Sequence, residues 1–139
     1  VTADESGAAS WLPPETRQKW PVRPVNVVRL IRTTGVAGAG RLLQSGYQTE
    51  KNHPREPHYY LFAIGTLPGQ RGRGMGTHLI RHVLRQCDRE GMPAFLENSR
   101  PENFDFYQGH GFEVFRQLRF ARTAPPVWLM WREPRTPEE

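Results

Sequence analysis

The glycine-rich segment 68–76 (PGQRGRGMG) limits the folds open to this chain more than any other feature. Before it, residues 58–67 (HYYLFAIGTL) form an apolar, aromatic run bounded by prolines, which predicts a buried central strand. After it, apolar residues recur at helical spacing over residues 74–90, and Gly91 ends this predicted helix. A strand, a glycine-rich loop and a helix in this order are typical of a βαβ crossover.

The rest of the chain predicts short strands and helices that complete a mixed α/β fold. Glycine and proline cluster in loops without a repeating period, which excludes collagen and solenoid folds. The other predicted elements are a hairpin at 1–12, helices at 25–34, 36–51 and 100–108, and strands at 93–97, 112–120 and 127–132. We expect a single domain over residues 1–133 and a disordered tail at 134–139. The opening strand has no turn or cap before it, so we also expect that an N-terminal segment of the fold is missing.

The glycine-rich segment is also the strongest binding signal. It has glycines at three alternate positions: Gly72, Gly74 and Gly76. Without a Cβ the backbone can approach a ligand closely, and the N–H groups of residues 72–77 lie at the positive end of the helix dipole. This arrangement predicts a phosphate or pyrophosphate site, with Arg71 and Arg73 beside it. The spacing fits neither a dinucleotide G-x-G-x-x-G pattern nor a Walker loop. A tight connection without a ligand is the structural alternative.

Composition and charge exclude several other classes of protein. The formal charge is +5, but the basic residues are spread over the whole chain, which favours a solvated surface over a nucleic-acid patch. No apolar run is long enough to span a bilayer, and the start lacks a signal-peptide pattern. The one cysteine, Cys87, falls on the apolar face of a predicted helix. We therefore expect a cytoplasmic protein with no membrane or nucleic-acid partner.

Two further groups of residues are better explained by structure than by function. Tyr59, Tyr60 and Phe62 suggest a base-stacking surface, but their apolar run predicts burial on both faces and hence core packing. His78 and His82 stand four apart on one helix without a third ligand, so we expect them to face solvent and to bind no metal.

Two motifs resemble the signatures of the GNAT N-acyltransferase superfamily. Arg71-x-x-Gly74-x-Gly76 resembles its acyl-CoA loop, and residues 95–112 (FLENSRPENFDFYQGHGF) resemble its second signature, which ends in Tyr-x-x-x-Gly-Phe. Within the superfamily the chain is most similar to the puromycin N-acetyltransferase branch. The resemblance covers residues 53–132 well and the first fifty loosely. It implies a mostly antiparallel, twisted sheet with a central splayed strand pair and flanking helices, here lacking the superfamily's first strand and helices.

The resemblance implies acetyl-CoA as co-substrate. The N–H groups of residues 72–77 would bind its pyrophosphate, and pantetheine would lie where the strand end at 64–67 diverges from the strand at 93–97. The Leu67 N–H would polarise the thioester carbonyl. Many members carry Asn where this chain has Arg100, and Asn103 would take over that role. The implied cofactor contacts are Ile64, Gly65, Thr66, Leu67, Arg71, Gly72, Arg73, Gly74, Met75, Gly76, Thr77, Asn103 and Phe106.

Tyr107 and Glu97 are the expected catalytic residues. The resemblance implies that Tyr107 protonates the departing thiolate; its alternative is packing under the turn at 109–112. Glu97 ends a predicted core strand, where an ionised carboxylate is unfavourable unless it is bonded or used, so it is a candidate base. Its alternative is a structural carboxylate that orients Asn98, Ser99 or a neighbouring loop. His58 and Glu56 are further candidates for the base.

Together these features predict an N-acetyltransferase. It would move an acetyl group from acetyl-CoA to a primary amine of a small molecule, an aminonucleoside or related antibiotic, by direct transfer in a ternary complex. One alternative is a catalytically idle acyl-CoA-binding GNAT domain with a regulatory role, and another is a basic nucleic-acid-binding domain. Exposed strand edges also suggest a homodimer.

Overall fold

The computed structural model describes residues 6–16, 24–69 and 72–136. The elements in chain order are β1 (Gly7–Leu12), α1 (Pro24–Asn52), β2 (Tyr59–Thr66), α2 (Met75–Glu90), β3 (Ala94–Asn98), a 3-10 turn (Pro101–Asn103), α3 (Phe104–Gly109), β4 (Glu113–Leu118) and β5 (Val127–Arg132). The first strand of the predicted hairpin lies outside the described residues. None of the described helices is long and apolar enough to cross a bilayer.

The described strands form one sheet in the order β1-β2-β3-β5-β4. Only β2 and β3 are parallel, and the other three pairings are antiparallel. Because α2 connects the parallel pair, the predicted crossover and the predicted mixed, mostly antiparallel fold are both confirmed.

The described chain divides into two compact units. One contains the sheet with α2 and α3, and the other contains α1 with residues 53–55 and 120–124. Within α1 the backbone leaves the helical region at Gly35 (φ 72°, ψ 170°). The prediction of two helices that meet at this glycine is therefore confirmed, although no loop separates them.

One face of the sheet packs against α2 and α3. The buried side chains of α2 are Leu79, Ile80, Leu84 and Cys87, as the helical spacing predicts. Three of them, Ile80, Leu84 and Cys87, join Leu61, Leu96, Tyr107 and Phe112 in the larger hydrophobic core. Each large apolar side chain buried in this way contributes about 1.5–3 kcal/mol. At the end of α2, Gly91 takes the left-handed conformation (φ 62°), and its N–H donates to the Asp88 carbonyl.

The opposite face of the sheet has a smaller buried cluster of Tyr60, Phe95 and Leu129. Here the prediction for β2 needs correction. The strand is buried over Tyr59–Leu61, but the Phe62 side chain is 56% exposed. The expectation that Phe62 packs in the core is wrong, because the pairing of β2 with β3 ends at Leu61 and leaves the next residue uncovered.

A buried ion pair joins α2 to β5. Both Nη atoms of Arg132 donate to the Asp88 carboxylate, at 2.8 and 2.9 Å, and the Arg132 side chain is only 4% exposed. Its Nε donates to the His110 carbonyl at 3.0 Å, in the turn after α3. The backbone N–H of Arg135 also donates to Asp88, at 2.7 Å. This cluster therefore fixes the C-terminal end of α3 against the helix and the sheet.

Candidate active site

The strands β2 and β3 diverge at the centre of the sheet. They pair at only three positions, from Tyr59 with Ala94 to Leu61 with Leu96. Beyond these pairs β2 continues to Thr66 and β3 continues to Asn98. This is the splayed pair expected from the sequence, and the gap opens toward the C-terminal ends of both strands.

Two backbone N–H groups of β2 point into this gap. The Leu67 N–H, which the resemblance implies as the donor to the thioester carbonyl, is not one of them. The Leu67 N–H donates to the Ser6 carbonyl at 2.8 Å, on the β1 side, so it cannot serve as the oxyanion donor. Successive backbone groups of a strand point to opposite edges. The N–H groups of Thr66 and Ile64 therefore point away from β1 and toward the gap. Only the register of β1 reveals this, and the sequence does not give that register.

The glycine-rich loop leads directly into α2. Gly72 and Gly74 have φ of 79° and 77°, and an added Cβ would meet no atom within 4 Å at either position. The glycines are therefore required by the backbone conformation, not by crowding within the protein. Arg71 lies outside the described residues, and Arg73 is exposed.

The first turn of α2 is open to an anion. Gly74 caps the helix without a side chain, and the first turn carries no acidic residue. The first backbone bond runs from the His78 N–H to the Gly74 carbonyl at 2.9 Å. The N–H groups of Met75, Gly76 and Thr77 therefore have no acceptor within the helix and can bind phosphate oxygens.

The two glycine caps of α2 allow a matched test. Gly74→Ala is expected to lower the free energy of unfolding by about 1–2 kcal/mol, because an L-residue is strained at positive φ, and also to weaken acetyl-CoA binding. Gly91→Ala imposes similar strain at the other end of the helix, where φ is 62° and an added Cβ would meet no atom within 4 Å. Urea unfolding and calorimetry with acetyl-CoA measure the two effects. Equal coenzyme affinity in both variants would contradict a phosphate site at Gly74.

The short helix α3 packs directly against this first turn. An added Cβ at Gly76 would lie 3.3 Å from Cζ of Phe106, so the Phe106 ring covers the glycine. Tyr107 is 7% exposed and packs edge-on to Phe106 and Phe112, with ring centroids 5.3 and 6.2 Å away. Asn103 is half-buried in the 3-10 turn before the helix. The structure thus brings Gly76, Phe106 and Tyr107 together on the helix-covered face.

Burial raises the pKa of Tyr107 above its usual value, so its hydroxyl stays protonated at neutral pH. A protonated phenol can donate to a thiolate. The expected alternative, packing near the turn at 109–112, is also observed, since the Tyr107 ring lies edge-on to that of Phe112 and the Tyr107 carbonyl accepts from the N–H groups of His110 and Phe112. The packing fixes the ring and does not use the hydroxyl.

Glu97 lies on the other face of the sheet. Side chains alternate along β3, so Glu97 shares the face of Phe95, whereas Leu96 points toward α2. Its Oε1 is buried without a hydrogen-bond partner among the described residues. Burial raises its pKa to about 7. Burial also raises the pKa of the nearby Tyr60, and the charge of Glu97 raises it further. A carboxyl group with this pKa can accept a proton near neutral pH.

The structural role proposed as the alternative for Glu97 belongs to its neighbour. The Oδ1 of Asn98, which is 2% exposed, accepts from the Arg100 N–H at 3.0 Å and so orients the following loop. Sequence reasoning named Asn98 only as a residue that Glu97 would orient, although a buried asparagine at a strand end is a recognisable signal of a structural role. His58 is occupied elsewhere, with Nδ1 2.6 Å from the Glu56 carbonyl and its ring against Phe95.

His78 and His82 are both exposed, as predicted. Within the described part of the chain, no three His, Cys, Asp or Glu side chains lie close enough to hold a metal ion.

Comparison with known proteins defines the class to which this fold and site belong. The acetyltransferase (GNAT) family model matches residues 8–112, which is most of the chain. The chain therefore belongs to the GNAT acetyltransferase family. The predicted superfamily is confirmed, and the puromycin N-acetyltransferase branch stays a prediction.

Two curated relatives are similar in sequence. An uncharacterized N-acetyltransferase of Schizosaccharomyces pombe is 33% identical over 85 residues, covering 59% of this chain and 34% of its own length. N-alpha-acetyltransferase 50 of Danio rerio is 34% identical over 72 residues, covering 48% of this chain and 43% of its own. The chain thus spans less than half the length of each.

Solved structures share the fold. An apo agmatine N-acetyltransferase has a TM-score of 0.60 at 17% identity, covering 92% of this chain and 69% of its own. A histone acetyltransferase HPA2 and related acetyltransferase from Corynebacterium glutamicum has a TM-score of 0.53 at 17% identity, covering 94% and 99%.

Proposed function

We propose that this protein is an N-acetyltransferase that moves an acetyl group from acetyl-CoA to a primary amine. One arrangement carries the proposal. The gap between β2 and β3 adjoins an open helix N-terminus, with a buried tyrosine on one face and an unpartnered carboxylate on the other. In this arrangement the pyrophosphate binds at the first turn of α2, and the thioester reaches the gap from the helix-covered face. Membership of the GNAT family supports the assignment.

The proposed reaction forms one C–N bond and breaks one C–S bond. Ionised Glu97 takes a proton from the acceptor ammonium, which frees the nitrogen lone pair to attack the thioester carbon. The N–H of Ile64 donates to the oxygen that becomes negatively charged. The Tyr107 hydroxyl gives its proton to the departing thiolate and is reprotonated by the proton that the new amide nitrogen loses. Glu97 returns its proton to solvent, so each turnover releases one proton.

The acceptor we favour is a small primary amine, with an aminonucleoside or related antibiotic as the first compounds to test. The name of the Danio rerio relative suggests protein α-amines as a second class. A panel that combines small amines with short peptides and monitors release of free coenzyme thiol distinguishes them. If acetyl-CoA binds but no amine is acetylated, the chain is instead an idle acyl-CoA-binding domain. A homodimeric state and a cytoplasmic location remain predictions from the sequence.

Tyr107→Phe tests the proposed acid. The substitution keeps the ring packing but removes the proton donor, so kcat is expected to fall about 10²-fold while the affinity for acetyl-CoA is unchanged. Steady-state release of coenzyme thiol measures the first quantity and calorimetry the second. Tyr47→Phe is the matched control, since the Tyr47 ring is 66% exposed on α1. Full turnover in Tyr107→Phe would show that another group, or water, protonates the thiolate.

A further inference from the structure

We propose that the acceptor binds on the sheet face opposite α2, with its ammonium group at Glu97 and an apolar, aromatic body against Phe62 and Phe115. This inference rests on the proposed function and specifies its substrate class. The acceptor would then reach the gap from one face of the sheet while acetyl-CoA reaches it from the other.

The position of the gap supports placing the acceptor on this face of the sheet. The last paired residues are Leu61 on β2 and Leu96 on β3, so Phe62 and Glu97 are the first residues beyond the pairing on each strand. The Phe62 ring lies against that of Tyr60, and Glu97 shares the face of Phe95 by alternation along β3, which is also the face of Tyr60. An exposed ring and an unpartnered carboxylate thus stand on either side of the opening.

A continuous row of four aromatic rings crosses this face. The Phe62 and Tyr60 ring centroids are 6.1 Å apart, those of Tyr60 and Phe95 5.3 Å, and those of Phe95 and Phe115 6.2 Å. The two central rings are buried, whereas Phe62 and Phe115 are 56% and 48% exposed. The outer rings therefore leave apolar area open on both sides of Glu97, which a ligand of similar polarity can cover.

Glu97 specifies the polar end of the ligand, although Glu113 and Arg116 of β4 lie on the same face through their pairing with Trp131 and Leu129. Oε1 of Glu97 is buried and unpartnered among the described residues, and so requires a donor or a cation. A primary ammonium supplies both. A ligand with charge at one end and apolar surface at the other matches the site better than a diamine, whose second ammonium would lie on the rings.

The test compares ligands that differ in one property. Phenethylamine is expected to have a KM several-fold lower than that of 1,4-diaminobutane, since its ring adds an aromatic contact and buries apolar area. Phe62→Ala and Phe115→Ala should each raise the KM of phenethylamine several-fold without changing the KM of acetyl-CoA. Val114→Ala is the control, because Val114 is 40% exposed on β4 but pairs with Met130 of the helix-covered face.

Calorimetry at pH 8 separates the inference from the proposed function, because it requires no turnover. Phenethylamine should bind more tightly than its neutral analogue 2-phenylethanol, and Glu97→Gln should remove the difference. If phenethylamine binds in this way and no amine is acetylated, the binding site stands and the transferase assignment fails. If amines are acetylated but both phenylalanine variants keep wild-type KM values, the inference is overturned. It is also overturned if these variants only dissociate a dimer.

Discussion

Glu97→Gln is expected to lower kcat/KM by about 10²–10⁴-fold, the usual contribution of a general base. In the wild-type protein the carboxyl group has a pKa of about 7 because it is buried. The part of kcat/KM that depends on ionised Glu97 should therefore be absent at low pH, rise as the group ionises, and level off above about pH 7. Glutamine keeps the shape but cannot accept the proton, so this rise should vanish from the pH–rate profile.

The measurement compares both proteins with the same amine at each pH, so that titration of the amine itself cancels. Glu50→Gln is the control, because that side chain is exposed on α1. A Glu97→Gln variant with wild-type kcat/KM and an unchanged profile would place the base elsewhere, or show that the amine is deprotonated by solvent.

Asp88→Ala is expected to reduce the free energy of unfolding by about 3–5 kcal/mol, as when one partner of a buried ion pair is removed. The Arg132 guanidinium would remain buried with only the His110 carbonyl as a partner. Urea denaturation measures the loss, and Arg89→Ala is the control on the exposed side of the same helical turn. A loss below about 1 kcal/mol would mean that water replaces the carboxylate.

Low pH should reduce the contribution of the same ion pair to the free energy of unfolding. Burial of Asp88 acts to raise its pKa, but hydrogen bonds from Arg132 and Arg135 outweigh this, and the pKa lies below its usual value. A carboxyl group of this kind stabilises the fold fully above its unfolded pKa of about 3.9. That contribution is lost as the pH falls through the lower, folded value. The stability difference between wild type and Asp88→Ala should therefore shrink in strong acid.

The sequence predicted best the elements whose residues alternate or recur regularly. The apolar spacing of α2 and the continuous run of β2 gave the crossover, and the glycine spacing placed the loop between them. What the sequence could not give is how strands pair. Whether the Leu67 or the Ile64 N–H faces the gap depends on the register of β1, and the exposure of Phe62 depends on where β3 diverges.

For the catalytic candidates too, the sequence identifies the residues, whereas their surroundings depend on how the strands pack. A tyrosine before a Gly-Phe pair identified Tyr107 through family resemblance, and its burial agrees with that choice. Glu97 could be identified only as a carboxylate in a core strand. Its unpartnered oxygen, its raised pKa and its place on the face opposite Tyr107 emerge from the packing of the sheet, because a face is assigned only when neighbouring strands are known.

The inaccessible sulfur of Cys87 has a practical consequence for the assays that follow release of the coenzyme thiol. It is 0% exposed, and burial raises the pKa of its thiol to about 12, so the native protein offers almost no thiolate to a disulfide reagent. Colour formed by such a reagent during turnover reports released coenzyme alone, without a background from the enzyme. Added to the protein in the absence of substrates, the same reagent measures the rate at which the core opens spontaneously. Cys87 can be labelled only in molecules whose α2 has separated from the sheet.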